Sequence, residues 1–163
     1  MRIALEEAQA AADENEVPVG AVIVHNEFGL VGRAHNQKEG LRDATAHAEL
    51  LAIGQASEAL GAWRLEGTTL YTTLEPCPMC AGAIVQARIP RVVFGALDPK
   101  AGAVDSVVGL WQPGLFNHDV IWESGLLADE CGEILSRFFR DRRRPRGSAA
   151  DGGDPLTSPE DDL

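Results

Sequence analysis

The chain predicts an α/β sandwich with a central, mostly parallel five-stranded sheet, one antiparallel hairpin and flanking helices. Three observations carry this. Short apolar runs of strand length alternate with segments of helical period. One pair of adjacent strand-like runs is joined by the turn-like stretch Asn26-Glu27-Phe28-Gly29. At 163 residues and 45% hydrophobic composition, the chain can bury one good core but is too short for two typical domains.

Ile3, Leu5, Ala8 and Ala12 give the chain an opening helix, and Val19 to Val24 reads as a nearly continuous apolar strand. After the hairpin turn comes a second strand, Leu30 to Asn36, and then a loop over 37–44. Asp43 is a good N-cap for the helix that follows, with Ala46, Leu50, Leu51, Ile53 and Ala56 on its periodic face. Thr68 to Leu74 is the third strand, and a helix runs from Met79 to about Ala87 with Pro78 in its first turn. Arg91 to Ala96 is the fourth strand. The Gly-rich segment up to Asn117 offers one helical turn at Val107 to Trp111, and a short strand at Val120 to Glu123 precedes a closing helix from about Ala128. Sites in such sheets lie beyond the carboxyl ends of the strands, where the Cys77 segment falls.

The chemistry is concentrated in two segments, His47-Ala48-Glu49 and Pro76-Cys77-Pro78-Met79-Cys80. One imidazole and two thiolates form a ligand set suited to zinc, and three protein ligands leave the fourth tetrahedral position open for water, as a catalytic site requires. His47 and Glu49 are two residues apart on a helix and point in different directions, so His47 is assigned to the metal and Glu49 to the water as general base. The step from Cys77 to Cys80 lets both sulfurs face one point. At a helix start, partial positive charge and free N–H groups favour the thiolates. Zinc brings the pKa of bound water down to about 7, and Glu49 would pass the water's proton to a ring nitrogen and then to a departing amine. The pattern H-x-E with P-C-x-x-C resembles the signature of zinc-dependent nucleobase deaminases. The competing reading is a structural zinc knuckle or a redox pair. A structural site would need a fourth ligand, and Cys131, the obvious candidate, reads as a core residue of the amphipathic stretch Asp129 to Arg140.

Three cysteines, two of them assigned to metal, suggest a reducing compartment. The charged N-terminal run excludes a signal-peptide core, and no stretch approaches 18 apolar residues, so the expectation is a soluble cytoplasmic protein without a membrane partner. The net charge of -11 hides an asymmetry: residues 137–146 hold Arg137, Arg140, Arg142, Arg143, Arg144 and Arg146 against Asp141 alone. Such a run is either a solvated face that complements the helix dipole or a phosphate-binding surface. Beyond Gly147 the chain is Ser, Gly, Pro and Asp-rich, and residues 147–163 are expected to form a disordered acidic tail.

The runs Val17-Pro18-Val19-Gly20-Ala21-Val22, Asp43 to Glu49, Thr73 to Ala83 and Val92-Val93-Phe94-Gly95-Ala96, together with Asn36, resemble the bacterial tRNA-specific adenosine deaminases. The likeness spans about residues 1–144. It implies a cytidine-deaminase-like three-layer sandwich over residues 1–146, one Zn2+ per subunit and a homodimer. The implied reaction converts the wobble adenosine of a tRNA anticodon loop to inosine by attack of zinc-activated hydroxide at C6. Carried over by motif, His47, Cys77 and Cys80 bind the zinc and Glu49 moves protons. Asn36 and Ala48 contact the flipped-out nucleoside, with a plain turn-capping role the alternative for Asn36. Asp98 lies near the flanking nucleotides, where a carboxylate can accept a hydrogen bond from a 2′-hydroxyl; a loop Asp that caps a turn with Pro99 is the plain alternative. Phe139, Arg140, Arg142, Arg143 and Arg144 are RNA-contact candidates, with Phe138 or Phe139 also expected to pack the last helix. His118 is not expected to be a ligand, and His25 and His35 are expected to be structural or at the surface.

The nearest rival is a deaminase of a free base, guanine or cytosine, since Pro-Cys-Pro-Met-Cys does not discriminate between them. The Val-Pro-Val-Gly start and the arginine-rich last helix lean towards RNA. From another class, a catalytically silent zinc-bearing RNA-binding subunit would have no use for Glu49.

Overall fold

The computed structural model describes residues 1–143. Its five strands, β1 (Gly20–His25), β2 (Gly29–His35), β3 (Thr68–Leu74), β4 (Arg91–Ala96) and β5 (Ile121–Ser124), form one sheet in the order β2-β1-β3-β4-β5. β1 runs antiparallel to both of its neighbours, and β3, β4 and β5 are parallel. Four strands therefore point one way and β1 alone points the other, which gives the expected mostly parallel sheet with one hairpin. A consequence is that the carboxyl ends of β2, β3 and β4 gather at the same edge of the fold.

Five helices, α1 (Arg2–Asp13), α2 (Lys38–Leu41), α3 (Ala48–Leu60), α4 (Pro78–Gln86) and α5 (Ala128–Arg143), complete the described residues. α1 and α5 pack together on one face of the sheet, and α3 and α4 on the other. The core between the sheet and α3/α4 joins Ile23, Leu70 and Phe94 to Ala52, Ala56, Ile84 and Val85. Small residues at helical spacing bring the helices unusually close. Ala48, Ala52 and Ala56 form one stripe of α3, and a Cβ built at Gly32 would lie 2.5 Å from the Ala52 carbonyl oxygen. On the opposite face, Ala4 and Ala8 of α1 abut Gly20, where a Cβ would lie 2.0 Å from the Ala4 carbonyl oxygen.

Three sequence expectations are corrected. Asp43 does not cap the helix that carries Glu49. Its carboxylate accepts from the backbone N–H and the hydroxyl of Thr45, at 2.8 and 2.7 Å, in a tight turn that delays the helix until Ala48, with His47 as the N-cap residue. The stretch read as a loop over 37–44 also contains the single helical turn α2. Val107 to Trp111 forms no helical turn; the turn lies at residues 103–106, because the amides of Val104, Asp105 and Ser106 go to a carboxylate of β3's end. The proposed boundary at 146/147, the tail and Arg144 lie outside the described residues. No helix among the described residues is long and apolar enough to cross a membrane.

Candidate active site

Two helix starts converge beyond the carboxyl ends of the strands. His47 is the N-cap of α3, and Cys77 is the N-cap of α4 with Pro78 following in the first turn. Cys80, one turn into α4, is fully buried. His47 Nδ1 lies 3.6 Å from Cys77 Sγ and 3.5 Å from Cys80 Sγ, and the three ligand atoms fall within 4.8 Å of one another. Nitrogen and sulfur ligands of a tetrahedral zinc, at about 2.0 and 2.3 Å from the ion, stand about 3.5 Å apart. The donor set and its spacing therefore fit zinc without rearrangement, and the group is positioned to hold a metal ion.

Electrostatics agree with that assignment. The Cys80 thiol hydrogen-bonds Cys77 and, although burial opposes it, lowers the Cys77 pKa to about 4, with His47 adding to the effect. The same bond pushes Cys80 up, as does its burial. The hydrogen bond with Cys77 raises His47 above its ordinary value. The hydrogen bonds thus favour the thiolate at Cys77, and a cation held by the three groups would favour the deprotonated form of all of them. Cys131 stands apart from this cluster. It is a buried residue of α5 whose sulfur fills the space above Gly95, which excludes the structural fourth-ligand reading.

A cavity of about 210 Å³ opens beside the ligands, lined by Asn36, Lys38, Ala48, Glu49, Cys77 and Asp98 among others. Its volume is below the range of pockets for drug-sized ligands, so it suits a single heterocycle. Glu49 is 3% exposed, and burial pushes its carboxyl up to about 6. A carboxyl in that range can both take and return a proton near neutral pH.

Asn36 ends β2's side of the cavity and is 5% exposed. Asp98 uses one oxygen to cap its own turn, accepting from the N–H groups of Lys100 at 2.9 Å and Ala101 at 3.2 Å. The plain alternative, a loop Asp that caps its turn, is what these bonds show, and Asp98 also lines the cavity. Phe139 is exposed, whereas Phe138 packs edge-to-face against it and carries the Arg142 guanidinium over its ring at 4.7 Å. Arg140, Arg142 and Arg143 are exposed on α5. Arg142 is tethered, donating to the Asn15 carbonyl at 2.7 Å. His118 Nε2 donates to the Ile89 carbonyl oxygen at 2.9 Å and His25 stacks on Phe28, and neither belongs to the ligand group.

Two residues escaped the sequence reading. Glu16 is buried and accepts from Asn36 Nδ2 and Gly40 N–H; Glu75 is buried and gathers the loop that bears Asp98. Each is a carboxylate at the edge of an apolar strand segment, a departure from pattern that was the available signal.

Comparison with known proteins follows the same lines. The profile of the cytidine and deoxycytidylate deaminase zinc-binding region matches residues 1–96. The tRNA-specific adenosine deaminase of Bacillus subtilis (strain 168) is 51% identical over 149 residues, covering 91% of this chain and 92% of that protein. That of Aquifex aeolicus (strain VF5) is 48% identical, covering 88% and 93%. A structure solved in studies of A-to-I editing by tRNA:A34 deaminases at the wobble position superposes with a TM-score of 0.78 at 49% identity, covering 83% of this chain and 97% of its own. A guanine deaminase from Nitrosomonas europaea is more distant, with a TM-score of 0.69 at 26% identity, covering 83% and 80%.

Proposed function

This chain belongs to the tRNA-specific adenosine deaminase family, and from that membership we propose that it hydrolyses the wobble adenosine of a tRNA anticodon loop to inosine and ammonia. The observation that carries the reading is the meeting of His47, Cys77 and Cys80 at zinc-ligand spacing beside a buried glutamate in a cavity sized for one base.

When bound, zinc supplies Lewis acidity that makes water a nucleophile at neutral pH. The protein's own groups do the rest. The target adenosine leaves the anticodon stack and enters the cavity, and its own ring displaces water from beside the metal ligands. Asn36 hydrogen-bonds the base edge and Ala48, at the first turn of α3, lies against the ring. Glu49 takes a proton from the attacking water and delivers it to N1 as the C6–O bond forms. Glu49 then takes the second proton of that oxygen and gives it to the C6 amine, which departs as ammonia when the C–N bond breaks. Asp98 accepts a hydrogen bond from a 2′-hydroxyl of a nucleotide that flanks the target.

Exposed Phe139, Arg140, Arg142 and Arg143 offer stacking and phosphate contacts to the rest of the anticodon arm. A homodimer completes the proposal. Val107, Val108, Leu115 and Phe116 lie exposed within one segment, an apolar surface that a second copy would cover, and the oligomeric mass in solution tests it. The free-base alternative is supported only by the more distant likeness to guanine deaminase.

The test is inosine formation by the zinc-loaded protein on an anticodon stem-loop with adenosine at the wobble position, beside free adenosine, guanine and cytosine. Turnover of the stem-loop alone is expected. Turnover of a free base alone would overturn the RNA reading and leave the zinc chemistry intact.

A further inference from the structure

Glu75 immediately follows β3 and is two residues before the ligand Cys77; it borders the cavity, and its carboxylate is bonded to the loop over residues 98–106. It is 2% exposed. One carboxylate oxygen accepts from the N–H groups of Val104, Asp105 and Ser106, at 3.1, 2.8 and 2.9 Å. The other accepts from the Asp98 N–H at 2.9 Å and from the Ser106 hydroxyl. Five donors exceed the roughly four lone-pair sites of a carboxylate, so nothing remains for substrate or metal. The backbone reinforces the same seam, with Glu75 N–H on the Ala96 carbonyl and Ala103 N–H on the Pro76 carbonyl, both at 2.9 Å. The loop wraps so tightly that a Cβ at Gly102 would lie 2.3 Å from the Glu75 carboxyl group.

We propose that Glu75 is a positioning residue for recognition of the nucleotides flanking the target base. It acts by holding the 98–106 loop, and with it Asp98, against the mouth of the cavity. This rests on the assignment of Asp98 to a flanking 2′-hydroxyl. Asp98 is gripped at its backbone by Glu75 while its own carboxylate caps the turn over Lys100 and Ala101, so the direction in which the free carboxylate oxygen points is set by Glu75. In Glu75→Gln the amide nitrogen cannot accept, so with the amide oxygen kept by the three loop N–H groups the Asp98 N–H loses its partner, while the Ser106 hydroxyl can turn to accept instead.

Steady-state kinetics of zinc-loaded full-length protein on the stem-loop, all-ribose or 2′-deoxy at the flanking nucleotides, provide the test. For Glu75→Gln we expect a KM raised about 10-fold, as the Asp98 N–H loses its acceptor. Unchanged zinc content and kcat should accompany it, with a 2′-deoxy penalty as small as that of Asp98→Ala. The double variant should be no worse than Asp98→Ala alone, since both changes act through one group. A fall in kcat with loss of zinc, additive effects in the double variant, or wild-type KM in Glu75→Gln alongside an impaired Asp98→Ala overturns the proposal. If Asp98→Ala itself keeps the wild-type KM, the Asp98 assignment fails. Glu75 then stands only if Glu75→Gln still raises KM together with faster amide exchange over 98–106, and is overturned if both are unchanged.

Discussion

Asn36 is tied to Glu16: its Nδ2 donates to the Glu16 carboxylate at 3.1 Å, and the second Glu16 oxygen accepts from Gly40 N–H at 2.7 Å. All of Asn36's amide geometry follows from this. With one N–H committed to an acceptor-only group, the Asn36 carbonyl oxygen takes no hydrogen bond from the described residues and is left for the cavity. Glu16→Ala is expected to lower kcat/KM on the stem-loop by about 10-fold or more while zinc stays bound. The cause is the loss of a buried partner, which is worth about 1–3 kcal/mol. Paired kinetics and metal analysis check it, and an unchanged kcat/KM would remove Glu16 from the account.

Glu49→Gln keeps the side-chain volume and removes the proton carrier. Turnover should fall by roughly 10²–10⁴-fold or more, the usual contribution of general acid–base catalysis, with zinc content unaltered. Loss of zinc from this variant would show Glu49 to be a ligand and overturn its assigned role.

Zinc bound by the native fold and not by the unfolded chain raises stability. At free zinc about 1,000-fold above the dissociation constant the gain is about 4 kcal/mol, which for a domain of this size raises Tm by on the order of 10 °C. Cys77→Ala should abolish most of that shift. Thermal unfolding with zinc and with chelator measures it, and equal Tm values in the wild type would mean the cluster does not hold the ion.

A charged network joins α1 to β2. Glu7 accepts from Arg33 and bonds His35 at 2.8 Å, and His35 also meets Glu14 at 3.2 Å. Burial works to lower the His35 pKa, but the hydrogen bonds to Glu7 and Glu14 outweigh it and hold the value above 6.5. Burial works to raise Glu7, but its bonds to Arg33 and His35 hold it below 4.5. A raised histidine stabilises fully below pH 6.5 and loses that contribution as pH rises through its folded value; a depressed carboxylate contributes above pH 4.5 and fails as pH falls. His35→Gln should therefore be destabilising at pH 6 and progressively less so towards pH 9. Urea unfolding at the two ends of that range decides it, and a stability difference that grows with pH would refute the assigned sign.

Gly20 meets α1 where no side chain fits, so Gly20→Ala must push the helix off the sheet. A cost of about 1–3 kcal/mol is expected, the range for overpacking a filled interior. Denaturant unfolding reads it directly, and a neutral substitution would mean that α1 yields freely.

The metal ligands and the sheet were legible because their signals are local. β3 and β4 fall where their apolar runs begin and end, and the imidazole and two thiols announce themselves by residue type. What was not legible depends on partners distant in the chain. Asp43 has the chemistry of a helix cap and spends it on Thr45 two residues away, because a local Asx turn competes with the cap. The roles of Glu16 and Glu75 exist only once donors 20 to 31 residues downstream have been folded against them. No periodicity encodes such a bond. The turn at 103–106 was misplaced by a few residues for the same reason, since its amides answer to Glu75 and not to the apolar spacing of Val107 to Trp111.

The crossover from β4 to β5 occupies residues 97–120 and carries Asp98, while every zinc ligand lies before it in the chain. The metal group and the proposed contact to the flanking nucleotides are thereby written in separate stretches of sequence. Doubling a loop's length costs only about 0.6 kcal/mol in closure entropy, so insertions beyond the anchored 98–106 stretch are cheap as long as β5 can still pair with β4. A descendant of this chain could change its contacts to the flanking nucleotides by rewriting that crossover alone, and would inherit its base pocket and chemistry unedited.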